Sequence, residues 1–204
     1  MHLEALSDEA KAVWGKCHFL EGFYLAGGTA LAMQLGHRIS VDLDFFSEES
    51  IKKTLLSQIE KVFGTVSILV NSKNELSVLA GGVKLTCLHY PFKLISPTVP
   101  TYIVPLASVR DIAAMKAYTL GRRRSLKDYV DLYFILSKNL SSLKQIVEDS
   151  KTKFADAFND RLFLEQLLSP DDLEEEEIVW LKEKVNKEDI KEYFTDLIKN
   201  TDLS

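Results

Sequence analysis

The chain has 204 residues, of which 46% are hydrophobic and 27% charged, with a formal net charge of −5 at neutral pH. This composition excludes global disorder and supplies a core for one domain, or for one domain with a small helical annex. It also excludes a bulk basic field for nucleic acid, so any RNA contact has to be local.

Cys17 and Cys87 are too few and too isolated for a disulfide framework or a zinc site, and they are expected as buried thiols in a reducing compartment. No apolar run approaches the length of a membrane span. The first residues, MHLEALSDEAKAVW, carry acids where a signal peptide needs bases. The expectation is a cytoplasmic protein with no membrane contact.

In chain order, Ser7 to Glu21 reads as an amphipathic helix. Ser7 is its cap, and Ala10, Val13, Trp14, Cys17 and Leu20 form its apolar stripe. A short strand follows from Phe23 to Ala26. The segment Gly27 to Phe46, GGTALAMQLGHRISVDLDFF, then opens with a glycine turn, passes through a helix-forming run from Ala30 to Leu35, and ends in a strand carrying Asp42 and Asp44.

Strand alternation puts Ile39, Val41, Leu43 and Phe45 on a buried face and the two acids on the other, about 7 Å apart at Cα. Two carboxylates that close repel unless a cation lies between them, and a hard ion such as Mg²⁺ or Mn²⁺ suits them. A glycine turn at a helix N-terminus brings backbone N–H groups close to an anion, and Thr29 adds a hydroxyl at a cap position. Either half alone is common, the glycine pair as a packing turn and D-x-D as chance. Together, a phosphate cradle at Gly27, Gly28 and Thr29 and a metal-binding pair at Asp42 and Asp44 describe a site for a nucleoside triphosphate.

His37 and Arg38 fall in the loop before the acid strand. They read either as a solvated turn or, for Arg38, as a fork for phosphate oxygens. Ser40 shares the parity of the acids and could orient either one.

Ser50 to Phe63 reads as a helix with Ile51, Leu55, Ile59, Val62 and Phe63 inward. Val66–Val70, Leu76–Ala80 and Val83–Tyr90 read as an antiparallel meander. The last of these, VKLTCLHY, contains no acid on either face. Pro91 to Pro105 is a crossing loop with a short extended piece at Tyr102–Val104.

Ser108 and Asp111 have capping-box spacing for a helix closing at Gly121, and Ser125 and Asp128 repeat that spacing for the next helix. Tyr129, Leu132, Tyr133 and Leu136 give this second helix a core face. On spacing alone Asp128 is a cap residue, Lys127 and Asp131 are an i,i+4 pair, and Lys116 is a solvated lysine. Arg122, Arg123 and Arg124 form the densest basic cluster, read either as a solvated turn or as a docking patch for phosphates.

Beyond Ser137 the pattern is helical. Phe154, Phe158, Leu162 and Leu168 suggest one helix, and Ile190, Phe194, Leu197 and Ile198 another, capped near Asn186. The acidic run from Asp171 to Glu177 reads as a solvated turn or helix start, or as a surface that repels RNA or receives a basic antitoxin.

The spacing of GG to D-x-D resembles the nucleotidyltransferase superfamily signature. With the later blocks DIAAMKAYTLGRRR and KDYVDLYFIL, the region from Phe23 to Leu136 resembles the AbiEii-type nucleotidyltransferases, toxin components of bacterial abortive-infection and toxin–antitoxin pairs. The resemblance implies an α/β (α+β) fold with a mixed sheet flanked by helices. Residues 1–107 would be the nucleotidyltransferase core, and 108–204 a C-terminal helical portion, separate or packed with the core as one domain.

It further implies Mg²⁺ or Mn²⁺ as cofactor, an NTP as substrate, an RNA acceptor such as a tRNA 3′ end, and a cognate antitoxin as partner. Carried over residue by residue, Gly27, Gly28 and Thr29 would hold phosphate, and Asp42 and Asp44 the metal. Lys116 would contact the triphosphate, while Lys127, Asp128 and Asp131 complete the cleft, with Asp128 orienting the lysine or taking the proton. Many relatives carry a third carboxylate on the strand that here reads VKLTCLHY. Two other readings stay open: transfer to a protein side chain in place of RNA, and, because that acid is absent, an inactive module that binds a nucleotide or a partner.

Overall fold

The computed structural model describes residues 1–120, 122–123, 125–170, 173 and 176–202. The chain divides into two compact units, one comprising Met1–Lys93 and Pro97–Ala107, the other Leu94–Ser96 and Ser108–Ser204.

The first unit is built on a five-stranded mixed sheet. Its strands are β1 (Tyr24–Leu25), β2 (Leu43–Ser47), β3 (Ser67–Asn71), β4 (Glu75–Ala80) and β5 (Val83–His89), in the order β1-β2-β5-β4-β3. The three strands β3, β4 and β5 form the expected antiparallel meander, while β5 runs parallel to β2 and β1 antiparallel to it. That single parallel pairing decides the fold, because it brings β5 directly beside Asp44.

Helix α1 (Asp8–Trp14) is capped by Ser7, whose hydroxyl accepts from Ala10 N at 3.1 Å. It ends at Gly15, short of the expected Glu21, and a 3-10 turn at Cys17–Phe19 carries the stripe on. All five stripe residues are buried, and Trp14 stacks on Phe45 with ring centroids 6.1 Å apart. Helix α2 (Gly27–Leu35) starts on the glycine pair itself and closes at Gly36, whose φ of +60° makes it a left-handed cap. Helix α3 (Leu55–Phe63) begins later than the predicted Ser50, and Leu55 and Ile59 are its buried residues. Tyr102–Val104 is a bend, not an extended segment; Val99 and Leu106 make the bridge in that loop instead.

The second unit is helical: α4 (Val109–Thr119), α5 (Leu126–Ser137), α6 (Leu143–Phe154), α7 (Asp160–Leu167) and α8 (Lys187–Asn200). The Ser108 cap on α4 is present, with Asp111 N donating to its hydroxyl at 3.0 Å. Asp111 is wholly buried, and its carboxylate also accepts from Ile95 N, Ser96 N and the Lys153 ammonium, the last at 2.9 Å. A bidentate Arg110–Asp149 pair and a Tyr118–Phe154 stack at 4.2 Å hold α6 on the same helix.

Three expectations fail in this unit. Phe154 ends α6 and does not share a helix with Phe158, Leu162 and Leu168; Leu162 and Leu168 are exposed. Ser125 makes no side-chain cap on α5; Glu176 accepts from Leu126 N at 2.6 Å in its place. Glu176 therefore does structural work inside the run read as a solvated turn, of which Asp171, Asp172, Glu174 and Glu175 lie outside the described residues. The Asn186 cap of α8 is a full capping box with Asp189, as expected.

Candidate active site

The acid strand is shorter than its alternation implied. Asp42 is exposed just before β2, Leu43 is buried, Asp44 is half-buried within β2, and Phe45 is buried. Alternation thus holds from Asp42 to Phe45. It fails at Val41, which is 54% exposed where the pattern placed it inside, because β2 has not yet begun there.

Gly27 lies against this strand. Its φ is +70°, a conformation that glycine adopts without steric cost, and a Cβ built on it would stand 3.6 Å from Asp44 Oδ2. Ala26 N donates to the Asp44 carbonyl at 3.0 Å, which pins the glycine turn to the acid. The Ala26 cap position supplies no side-chain acceptor to the first turn of α2. The N–H groups of that turn are of the kind that receive an anion at a helix N-terminus.

Thr29 is buried, and its hydroxyl is not a helix cap. It donates to the main-chain carbonyl of Asp42 and lies 2.7 Å from Ser40 Oγ. Its contribution toward a phosphate is therefore limited to its backbone. Ser40 does not orient a carboxylate through its hydroxyl as expected: the hydroxyl meets Thr29, while its amide donates to the Ala5 carbonyl at 2.8 Å. His37 and Arg38 are 0% and 3% exposed, which overturns the solvated-turn reading. One Arg38 guanidinium nitrogen donates to the Ile39 carbonyl at 3.2 Å.

In the parallel register Asp44 pairs with Thr86, and Thr86 in turn faces Ser77 on β4. A hydroxyl thus stands in register with Asp44 on β5, a strand that carries no acid. Among the described residues no group of three or more His, Cys, Asp or Glu side chains could hold a metal. Any ion at this strand relies on the pair Asp42 and Asp44.

In the second unit a buried ionic cluster joins α4 to α5. The Lys116 ammonium is 2.6 Å from both Asp128 Oδ1 and Asp131 Oδ2, and all three residues are at most 3% exposed. Arg123 forks onto both oxygens of Asp128 at 2.7 and 2.8 Å. Among the described residues the cluster holds two cations and two carboxylates.

Burial would raise the Asp128 carboxyl, but Lys116 and Arg123 outweigh it and hold the group below the ordinary carboxylate range. An acid so stabilised as its anion is a poor proton acceptor, so orienting Lys116 is the role its geometry favours. The expected Lys127–Asp131 pair does not form. Asp131 binds Lys116, while the half-exposed Lys127 lies 3.4 Å from Glu176. Arg122 stacks on Tyr118 at 3.9 Å and donates to the Tyr118 and Ala157 carbonyls. Two of the three arginines read as a docking patch are thus engaged within the unit, and Arg124 lies outside the described residues.

The β1-β2-β5-β4-β3 sheet with its acid-bearing second strand belongs to a fold shared with solved structures. A crystal structure described as a putative nucleotidyltransferase from H. pylori superposes over 95% of this chain and 94% of its own, with a TM-score of 0.61 at 17% identity. JHP933 from Helicobacter pylori is similar over 80% of this chain and 74% of its own, with a TM-score of 0.50 at 18% identity. The family described as nucleotidyl transferase AbiEii toxin, Type IV TA system, matches residues 14–79 and 87–203, and the chain belongs to that family. An uncharacterized protein of Aquifex aeolicus strain VF5 is 38% identical over 137 residues, a stretch covering 65% of this chain and 66% of that protein. No helix among the described residues is long and apolar enough to cross a membrane.

Proposed function

We propose that the chain transfers a nucleoside monophosphate from an NTP to an RNA acceptor, a tRNA 3′ end in the first place, as the toxin of a toxin–antitoxin pair with a cognate antitoxin protein. The observation that carries this reading is the apposition of Gly27 and Asp44, which sets a backbone anion cradle against a metal-type carboxylate.

The donor set fits a hard divalent cation: two carboxylates, one exposed and one half-buried, beside a turn that carries no Cβ. Mg²⁺ or Mn²⁺ held by Asp42 and Asp44 would polarise the α-phosphate and lower the pKa of the attacking hydroxyl. The backbone N–H groups of Gly27, Gly28 and Thr29 take up charge on the phosphates. Thr29 and Ser40 keep Asp42 in place by bonding to its carbonyl and to each other.

The test is label transfer from each [α-³²P]NTP to total tRNA. Wild-type protein labels the RNA, and the double variant Asp42→Ala with Asp44→Ala does not, while its circular dichroism stays that of the wild type. A double variant that labels as well as the wild type disproves the assignment. Label on a protein instead of RNA would move the acceptor to a side chain. Tight Mg²⁺-NTP binding without turnover on either would leave a binding module.

A further inference from the structure

Strand parity separates the two faces of the sheet. Phe45 is buried and stacks on Trp14, so α1 covers the face opposite Asp44. On the Asp44 face, Asp44, Thr86 and Ser77 are successive partners across β2, β5 and β4. The next pair along that face is Lys84 on β5 with Leu79 on β4. Thr86 is 4% and Ser77 0% exposed, whereas Leu79 is 42% exposed and Lys84 is exposed as well. The face therefore opens to solvent one row from Asp44.

Lys84 is also near the acids in register. Leu43 pairs with Leu85, so Asp42 and Lys84 each stand one residue before that pair. From Asp44, Lys84 is the diagonal neighbour, about 8 Å away at Cα by strand rise and spacing. Among the described residues its ammonium makes no ion pair and no side-chain hydrogen bond. A cation beside two acids, exposed and bound to neither, is available to an anion of a ligand.

The position of Lys84 across β2 selects which anion. β1 and the Gly27 turn flank β2 on one edge, and β5 flanks it on the other. A triphosphate held on the amides of that turn keeps its pyrophosphate end on the β1 side. In phosphoryl transfer the attacking and leaving oxygens lie roughly in line, on opposite sides of phosphorus. The acceptor then enters over β5, whose one lysine is Lys84. A chain of net charge −5 has to meet RNA through local charge of this kind.

We propose that Lys84 holds a backbone phosphate of the RNA acceptor on the β5 side of Asp42 and Asp44, which rests on the nucleotidyl-transfer reading above and assigns the acceptor's half of the same site. The contact is made to the phosphodiester, so it fixes where the strand lies and carries no sequence information. The chemistry stays with the two acids.

The experiment uses the full chain, a fixed concentration of Mg²⁺, labelled NTP and total tRNA, between about 50 and 200 mM salt. Lys84→Met should raise KM for tRNA about tenfold, within the worth of a hydrogen bond to a charged group. It should also lower the slope of log KM against log salt by about one, the signature of one lost phosphate contact. KM for NTP and the thermal midpoint should stay those of the wild type. Lys84→Arg keeps the charge and should restore the tRNA KM. Lys11 is exposed on α1, the helix on the opposite face, and Lys11→Met should change neither the KM nor the slope.

A tRNA KM and salt slope unchanged in Lys84→Met would overturn the assignment. So would a rise in KM for NTP with the tRNA KM unchanged, since the lysine would then serve the triphosphate. Absence of RNA labelling by the wild-type chain overturns the RNA-transfer reading itself, an outcome distinct from labelled RNA that is indifferent to Lys84.

Discussion

Thr29 and Asp42 are joined through the threonine hydroxyl and the aspartate's main-chain carbonyl, so the first turn of α2 holds the entrance of the acid strand. Ser40 completes the contact at 2.7 Å from the same hydroxyl. The glycine turn and an acid thirteen residues beyond Thr29 are thereby tied together.

Replacing Thr29 by Val keeps the shape and removes the donor. The expected loss is about 1 kcal/mol in folding stability by urea denaturation, the worth of one hydrogen bond. Label transfer should fall by a larger factor than NTP affinity, because Asp42 is freed. Thr29→Ser should retain both properties. Equal behaviour of Val and Ser variants would show that the bond does not position the acid.

Gly27→Ala meets two obstacles. The left-handed backbone at φ +70° costs an alanine roughly 1–2 kcal/mol, and the methyl stands 3.6 Å from Asp44 Oδ2, in ordinary contact, on the face of the cradle. Calorimetric affinity for Mg²⁺-NTP should drop by more than tenfold, while the thermal midpoint falls only modestly. Gly22, with a similar φ of +78° and open space around it, is the control: its alanine variant should show the strain without the loss of binding.

Lys116→Met leaves Asp128 and Asp131 buried without the cation between them. Breaking a buried pair in this way costs about 3–5 kcal/mol, and the loss should be partly recovered in Lys116→Met with Asp128→Asn and Asp131→Asn. The cluster also has a pH signature. Because the folded Asp128 carboxyl sits below its unfolded value near 3.8, its stabilisation is fully present above that value. It is lost as pH falls through the lower folded value. Urea midpoints measured from pH 5 downward should decline in the wild type and decline less in the triple variant.

Burial pushes the Cys17 thiol up to about 12, and burial, with Cys17 and Asp44 adding to it, pushes Cys87 up as well. Neither is a thiolate at pH 8, so neither should react with iodoacetamide in the native protein. Both should react once the chain is unfolded in guanidinium. Rapid native alkylation of Cys87 would contradict the packing of β5 at its core.

Much of the first unit was legible because it is written in short-range pattern. The Ser7 cap, the α1 stripe and the three-strand meander all follow from neighbours a few residues apart. The misreadings have a common cause. Lys127 and Asp131 are four apart on one helix and look paired, yet a second helix offers Asp131 the better-buried Lys116. Ser125 has the spacing of a cap, but Glu176, fifty residues away, reaches the helix N-terminus first. The solvated-turn reading of His37 and Arg38 fails because nothing local reports that a loop is buried.

The sequence by itself determined the family and the spacing of its candidate residues: a glycine pair, two aspartates at i and i+2, and the blocks that mark the family. Those are local facts of residue type and spacing, and backbone geometry follows from them. Only the tertiary structure decided which side chains meet. Register set Thr86 and not an acid beside Asp44, and helix packing gave Lys116 two buried carboxylates. The physical reason is that strand pairing and burial of charge are settled by the free energy of the whole fold, to which distant segments contribute as much as neighbours.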